Sequence, residues 1–431
     1  MRHYHLPVWL NGERLLIALP ALFALLTLLY TVARHVVVEV GGDEGGFDFR
    51  YFYILASMLR DGIDYAQLSP ESFTRLADGY MQGMRYPAGS PYVVYHTPTW
   101  ILAVVPFTWL SPVAAAGLWG LCATALYAAG IVLLLRVLME TLELKLPQAW
   151  PLLCSAVFLA GVYYPFILGL HTGQVDSLIF FLLALSMLHL LRGRWLLSGL
   201  FAGMMCWVKP AAVFILPFWL LRRHSALGVA IAGTVAFTII LLLPGSDFLA
   251  HYFRRLLETS DFFFQHVLLS GDEGNMSLLG FIARVFGTGG ESVYRLLMFG
   301  SNIASLLLTA WLARGVFDDA ASGMLRASRL ALAVCVWLLL LPQVEVTYMV
   351  LAWVALMPLL FLLPELPRPQ ALAVVVSTLL LGLAYSVDRF AIFQYGWPSF
   401  LKSAQLWALA LLVIVLAKSG HLLAAESPRR E

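Results

Sequence analysis

GGDEGGFDFRYFYILASMLRDGIDYAQ, from Gly41 to Gln67, is the first polar interval after a long apolar run, and it gathers Asp43, Glu44, Asp48 and Arg50 within a few residues. Almost everything around it is compatible with hydrocarbon. Of 431 residues, 61% are apolar and 12% charged, and the mean hydropathy is +0.83. Soluble domains sit near roughly 45–50% apolar and about 25% charged. The composition therefore predicts an all-α polytopic membrane protein, because a helix satisfies its own backbone hydrogen bonds in lipid. A net charge of +2 leaves no electrostatic footprint for nucleic acid, and no such partner is expected. Cys122, Cys154, Cys206 and Cys335 lie inside apolar runs without disulfide or CxxC spacing and read as small core residues.

Upstream of the quoted stretch, Arg2 and Arg14 precede an apolar run from about Leu15 to Val38. It is long enough to cross roughly 30 Å of hydrocarbon. It lacks a short apolar region followed by a small-residue cleavage site, so it reads as a span and not a signal peptide. Positive charge before it puts the N-terminus in the cytoplasm and the acidic stretch outside. From Phe47 to Arg60, Phe52, Leu55, Ala56 and Leu59 recur at helical spacing, with Asp48, Ser57 and Arg60 elsewhere on the circumference. That pattern predicts an amphipathic helix lying on the outer interface, ended by Asp61-Gly62. Ser69 to Pro91 is polar and rich in Gly and Pro and reads as an outer loop. Residues 39–97 together make the first extracytoplasmic loop. In YHTPTWILAVVPFTWLSP, from Tyr95, three prolines cut an apolar run into pieces too short to span, so it reads as interfacial or re-entrant.

Downstream, spans are expected over Val113–Leu135, Trp150–Leu168 and Ser177–Leu191. The next apolar run, Trp195–Leu221, is bounded by Arg192 and Arg194 on one side and Arg222-Arg223 on the other. Both ends favour the cytoplasm, so it reads as a hairpin of short helices with Lys209-Pro210 at its middle, in the cytoplasmic half. Leu227–Leu243 exits to a second extracytoplasmic segment, 244–291. Val293–Leu312, Leu330–Leu341, Tyr348–Leu363, Ala371–Val387 and Leu401–Leu416 follow. The expectation is a single membrane-embedded domain over 1–431 with about twelve spans and both termini cytoplasmic. Five polar elements then share the outer face: the Asp48 loop, His171–Gln174, Asn275–Arg284, Gln343–Glu345 and Asp388. An enzyme there is cut off from cytoplasmic nucleotide sugars and needs a donor carried through the membrane.

Each polar residue also has a bland reading. Asp48 could cap its helix, since Asp is favoured there. His171 and Gln174 either contact a ligand or cap a helix. Asp43 and Glu44 could join Asp48 around Mg²⁺ or Ca²⁺, but Gly-rich acidic loops are usually solvated, so no metal and no other cofactor is expected. Tyr80, Tyr86, Tyr92 and Tyr95 could stack on sugars or form an ordinary interfacial belt. A mid-membrane Lys costs roughly 2.5–3.5 kcal/mol, so Lys209 needs a partner or a wet cavity. Its expected depth makes it a helix-end or lipid contact.

Asp48-Phe49-Arg50-x-x-Tyr53, followed by Ala56, Leu59, Gly62 and Tyr65, resembles the first-loop signature of glycosyltransferase family 87. That group of GT-C-fold enzymes contains the polyprenyl-phosphate-mannose-dependent α-mannosyltransferases. Further matches follow in order: Pro98, Trp100 and Pro106; Gly173-Gln174-Val175-Asp176; Arg192-x-Arg194; Gly199 and Gly203; Lys209-Pro210; Arg222-Arg223; and Asn275-x-Ser277-Leu278 leading to Arg284. The similarity runs from about Asp48 to Pro342. It implies a GT-C-like bundle in the cell membrane that moves a mannose-like hexose from a polyprenyl-phosphate donor to an extracytoplasmic lipid or glycan acceptor, with inversion.

On the resemblance, Asp48 is the general base, taking a proton from the acceptor hydroxyl as it attacks the anomeric carbon. Arg284 is the first choice for the donor phosphate, with Arg50, Arg254 and Arg85 behind it, because guanidinium matches phosphate bidentately. Tyr53, His96, His171, Gln174, Asn275 and Glu345 are the candidate sugar and acceptor contacts. One position departs from the family. After Pro342 the pattern usually runs Ser-Trp-acid-His, and here Val344-Glu345-Val346-Thr347 puts Thr347 where that His stands. Rival readings are a transporter or flippase of lipid-linked saccharides and a polymerase or ligase of lipid-linked glycans. The former tends to show internal repeats, and none is evident.

Overall fold

The computed structural model describes residues 12–40, 45–82, 84, 96–142, 146–263, 275–287, 290–383 and 403–425, and every regular element among them is helical. Among the described residues, six helical stretches are long and apolar enough to cross a membrane: Ala18–Glu39, Pro112–Thr141, Leu153–Thr172, Arg223–Leu242, Glu291–Leu312 and Gly323–Leu340. The other apolar helices, such as Asp176–Leu191 and Trp195–Met205, are shorter. They begin or end at polar positions, and those ends build the site.

In chain order, α1 (Gly12–Arg34) runs on into a wide π turn, His35–Glu39. Next come α2 (Phe47–Arg60), α3 (Pro70–Met81), α4 (Pro98–Val104) and the long α5 (Pro112–Thr141). The expected span over Trp150–Leu168 is broken into α6 (Leu146–Gly161) and α7 (Tyr164–Thr172), because Pro165 cannot donate to the preceding turn. Then follow α8 (Asp176–Leu191), α9 (Trp195–Met205), a 3₁₀ turn over Pro210–Ile215, α10 (Pro217–Leu220) and α11 (Arg223–Leu242). The expected hairpin is α9, the 3₁₀ turn and α10. Beyond it lie α12 (Ser246–Phe263), α13 (Leu278–Phe286), α14 (Glu291–Leu312), α15 (Gly323–Leu340), a 3₁₀ turn over Val346–Ala352, α16 (Trp353–Phe361), α17 (Arg368–Leu383) and a last helix, Ala404–Ala425.

Two first-loop expectations are corrected. The bounds of α2 are as read, but it does not lie on the surface with one face in lipid. Phe49, Arg50 and every residue from Phe52 to Met58 are buried, because α4 and α5 pack around it. The 69–91 stretch opens with a helix, α3, which Ser69 caps by accepting from Ser72 N and which Pro70 starts at its first position.

Polar contacts tie together each end of the bundle. At one, Arg136 and Arg192 both reach Glu140, Arg222 lies 3.6 Å from Asp319, and the Arg326 guanidinium donates to the carbonyls of Val316, Asp318 and Leu191. At the other, α12 docks on the segment after α2 through His251–Asp64 (2.7 Å) and Gln67–His251 (2.8 Å). The two expected outer segments therefore meet.

The hairpin is fastened by backbone approach. A Cβ on Gly199 would lie 1.9 Å from Ser225 O, and one on Gly228 2.1 Å from Leu196 O. Small residues at helix interfaces allow this contact in membranes. Gly228→Ala should therefore lower thermal stability by about 1–3 kcal/mol, the usual cost of overpacking. Gly233→Ala, on the same helix with nothing within 4 Å, should leave it unchanged or raise it by about 1 kcal/mol. Melting curves of the two variants in detergent check the contrast.

Candidate active site

Asp48 is delivered by the first turn of α2. Gly46, with φ 74°, is the N-cap of that helix, and no side chain caps it. Asp48 is therefore not a cap. Its Oδ2 accepts a hydrogen bond from Gln174 Nε2 at 2.9 Å, and the same nitrogen donates to Glu345 Oε2 at 3.2 Å. One side-chain amide thus holds two carboxylates that come from distant parts of the chain.

Backbone contacts put Gln174 there. α7 ends at Gly173, whose φ of 79° closes the helix in the left-handed region. A Cβ at Gly173 would lie 2.8 Å from Phe49 Cβ, so only glycine lets this turn settle on α2. Gly46 N donates to His171 O at 2.7 Å, and Trp119 Nε1 donates to Gly173 O at 3.1 Å. Gln174 caps neither neighbouring helix, since Gly173 and Val175 hold those positions.

Glu345 is positioned by a clamp on the turn after α15. Asn275 Nδ2 donates to Pro342 O at 2.9 Å, and its Oδ1 accepts from Val344 N at 3.1 Å and Ser277 N at 3.0 Å. Ser277 Oγ also donates to Pro342 O, and Met276 N to Val344 O. Arg284, itself buried, braces the clamp by donating to Asn275 O and Ser403 Oγ.

The structure revises the depth of Lys209. Its Nζ lies 2.9 Å from Asp176 Oδ1 and 3.8 Å from the centroid of the Tyr348 ring, and both charged partners are buried. Asp176 opens α8 two residues after Gln174, so the hairpin tip reaches the end of the bundle that holds Asp48 and Gln174, away from the end expected for it. Hydropathy gave no sign of this because a hairpin's two ends say nothing about how far its tip travels. Losing one partner of such a buried pair typically costs roughly 3–5 kcal/mol.

The electrostatics follow from this crowding. Burial, and then the neighbouring Glu345 charge, push Asp48 up from its ordinary 3.8 to about 7, although Lys209 and the Gln174 hydrogen bond pull the other way. Burial and the Lys209 charge hold the His96 imidazole well below its usual value, so it is neutral. His96 packs edge-on against Phe52, and its carbonyl accepts from Tyr252. A carboxyl poised near neutrality beside a fixed cation suits proton abstraction.

The remaining candidates fall in several places. Tyr53 donates to Leu110 O at 2.9 Å, pinning α2 to the turn before α5. Arg50 is buried and donates to Val40 O. Arg254 is exposed on α12. His171 Nδ1 lies 3.1 Å from Glu39 Oε2. Thr347 is buried 3.8 Å from the Cβ position of Gly169, and its Oγ1 has no partner among the described residues. Tyr80 donates to Asp61. Asp43, Glu44, Arg85, Tyr86, Tyr92, Tyr95 and Asp388 lie outside the described residues. Asp176 and Tyr348 were not anticipated as site residues. The available signal was Asp176 itself, a carboxylate opening an apolar span.

A helical membrane bundle with two carboxylates and a buried ion pair gathered at one end has the parts needed for group transfer. The family model for Glycosyltransferase family 87 matches residues 95–342, more than half of the chain, and the chain belongs to that family. It is a membrane glycosyltransferase. No curated protein and no solved structure matches it. The matched region begins after Asp48 and stops before Glu345, so the family match itself covers neither carboxylate.

Asp48 also predicts a stability effect. A carboxyl held at about 7 when folded, against 3.8 ordinarily, binds its proton more tightly in the folded state. Ionising it therefore costs stability progressively as the pH rises from 4 towards 7. Asp48→Asn should raise the melting temperature at pH 8, and the gain should shrink towards pH 4.5, where the wild-type carboxyl is protonated too. Thermal unfolding at both pH values checks the sign.

Proposed function

We propose that this family 87 protein transfers a mannose-like hexose from a polyprenyl-phosphate donor to an extracytoplasmic lipid or glycan acceptor, with inversion. The observation that carries the reading is the Gln174 amide joining Asp48 to Glu345 beside the Lys209–Asp176 pair. Arg136, Arg192, Arg222 and Arg326 stand at the opposite end of the bundle, and arginines flanking spans mark the cytoplasmic side, which supports an outward-facing site.

Asp48 takes the proton of the acceptor hydroxyl. The hydroxyl oxygen bonds to the anomeric carbon as the bond from that carbon to the phosphate oxygen breaks, and the polyprenyl phosphate leaves with the electron pair. Lys209, whose charge reaches Asp48, replaces Arg284 as our choice to face the leaving phosphate. Arg284 and Asn275 instead shape the turn that carries Glu345. Gln174 and Glu345 orient Asp48 and contact the sugar hydroxyls, with His96 and His171 at the margin of the site. Tyr53 and Arg50 support α2, and Arg254, exposed on α12, meets lipid headgroups. The like charge of Glu345 keeps Asp48 basic enough to act near neutral pH.

Transfer of labelled mannose from polyprenyl-phosphate-mannose in proteoliposomes, with a panel of lipid and glycan acceptors, tests this. Asp48→Asn should lower the rate by about 10²–10⁴-fold, the usual contribution of a general base. Equal rates in wild type and variant would overturn the assignment. Because the base must be deprotonated, kcat/KM should rise with pH through about 7. Glu345→Gln removes the like charge and should move that limb to lower pH. An unmoved limb would show that Glu345 does not set it.

A further inference from the structure

A second cluster lies behind the Asp48 turn, and of its residues the proposed function uses only His171, at the margin of the site. The π turn that ends α1 brings His35 Nδ1 to 3.0 Å from Glu39 Oε2. From α7, His171 Nδ1 approaches the same oxygen at 3.1 Å. The three ligand atoms all lie within 4.8 Å of one another. We infer that His35, Glu39 and His171 form a binding site for a divalent transition ion of the zinc class.

Three observations support this inference. The first is the spacing. Zinc bonds of roughly 2.0–2.2 Å, opening at about 90–110°, separate their ligand atoms by about 2.8–3.6 Å; the two distances to Glu39 Oε2 are 3.0 and 3.1 Å, and the two imidazole nitrogens lie within 4.8 Å of each other. The second is that His35 is held in one orientation. A Cβ on Gly45 would lie 2.9 Å from its Cε1, and one on Gly120 3.1 Å from its Cδ2. Two glycines therefore sandwich the ring and leave it no room to turn, which is how a ligand is kept aimed. The third is that the site is closed behind and open in front. Side-chain exposure is 2% at His35, 16% at Glu39 and 42% at His171, so a fourth position is left for water.

Two imidazoles and one carboxylate favour Zn²⁺ over Mg²⁺ or Ca²⁺, which prefer all-oxygen shells. Arg34 Nε lies 3.6 Å from the other carboxylate oxygen, Oε1. It leaves Oε2 to the ion and makes the site weaker than one without a neighbouring cation. The ion would join the end of α1 to the end of α7, three residues before Gln174, and so act as a positioning device for the bridging amide. The binding claim itself does not rest on any reading of the transfer reaction.

The test uses full-length protein without a polyhistidine tag, equilibrated with ZnCl₂ in detergent, desalted and analysed for metal. Wild type should retain one zinc per chain. His171→Ala and Glu39→Gln should lose it while still eluting as single symmetric peaks. His224→Ala, at an exposed position on α11, should keep it. His3 and His5 remain in every variant, so adventitious binding at the N-terminus cannot produce this pattern. Cobalt(II) loaded in place of zinc should give a visible ligand-field spectrum in wild type that His171→Ala abolishes, which decides the matter should Glu39→Gln fail to fold. No retained zinc in wild type, or equal retention in wild type and His171→Ala, would overturn the site and leave the cluster a hydrogen-bonded brace.

Discussion

The structure depends on a single amide holding two half-buried carboxylates together. Gln174 Nε2 supplies both hydrogen bonds, to Asp48 and to Glu345. Two like charges at such range repel, and burial raises the cost further. The arrangement persists because neither carboxylate is free to leave. Asp48 is fixed by a helix buried on nearly every side, and Glu345 by the Asn275–Ser277 clamp on the turn before it. The Lys209–Asp176 pair close by offsets part of the charge. Strain of this kind, held in place by surrounding structure, is typical of functional sites.

The short helices follow from the same requirement. Polar side chains can be presented deep in a membrane protein only where the chain turns, and a turn at that depth must have its backbone groups satisfied by protein. α7 stops at Gly173 and α8 starts two residues after Gln174; the α9 hairpin turns at Lys209; and α15 gives way to a 3₁₀ turn at Glu345. At the first and last of these stops the freed backbone groups are taken up locally. Gly46 and Trp119 bond the carbonyls of His171 and Gly173, while Asn275, Ser277 and Met276 satisfy the Pro342–Val344 turn.

Much of this was legible in the sequence, and the limits were physical. Period and composition marked α2 to the residue, and the hairpin showed itself through arginines at both ends. Burial of α2 did not show, because a helix packed by short neighbours can look amphipathic while being enclosed. Lys209 was misplaced because charge at the ends of a hairpin fixes its sides and not its depth. Asp48, Gln174 and Glu345 were each singled out, but their meeting depends on long-range contacts that no local pattern encodes. Arg284 and Asn275 looked like ligand contacts because polar residues in an outer segment invite that reading; in the fold they brace a turn. His35 falls inside the expected Leu15–Val38 span and Glu39 opens the expected loop, so the boundary between them hides two ionisable residues four apart on one helical face.

The most direct test of the central claim is a structure of the protein bound to a non-transferable analogue, polyprenyl phosphonate linked to mannose. The anomeric carbon should lie beside Asp48, the sugar hydroxyls on Gln174 and Glu345, and the phosphonate facing Lys209. A sugar bound elsewhere, or a phosphonate held at the opposite, arginine-rich end of the bundle, would contradict it.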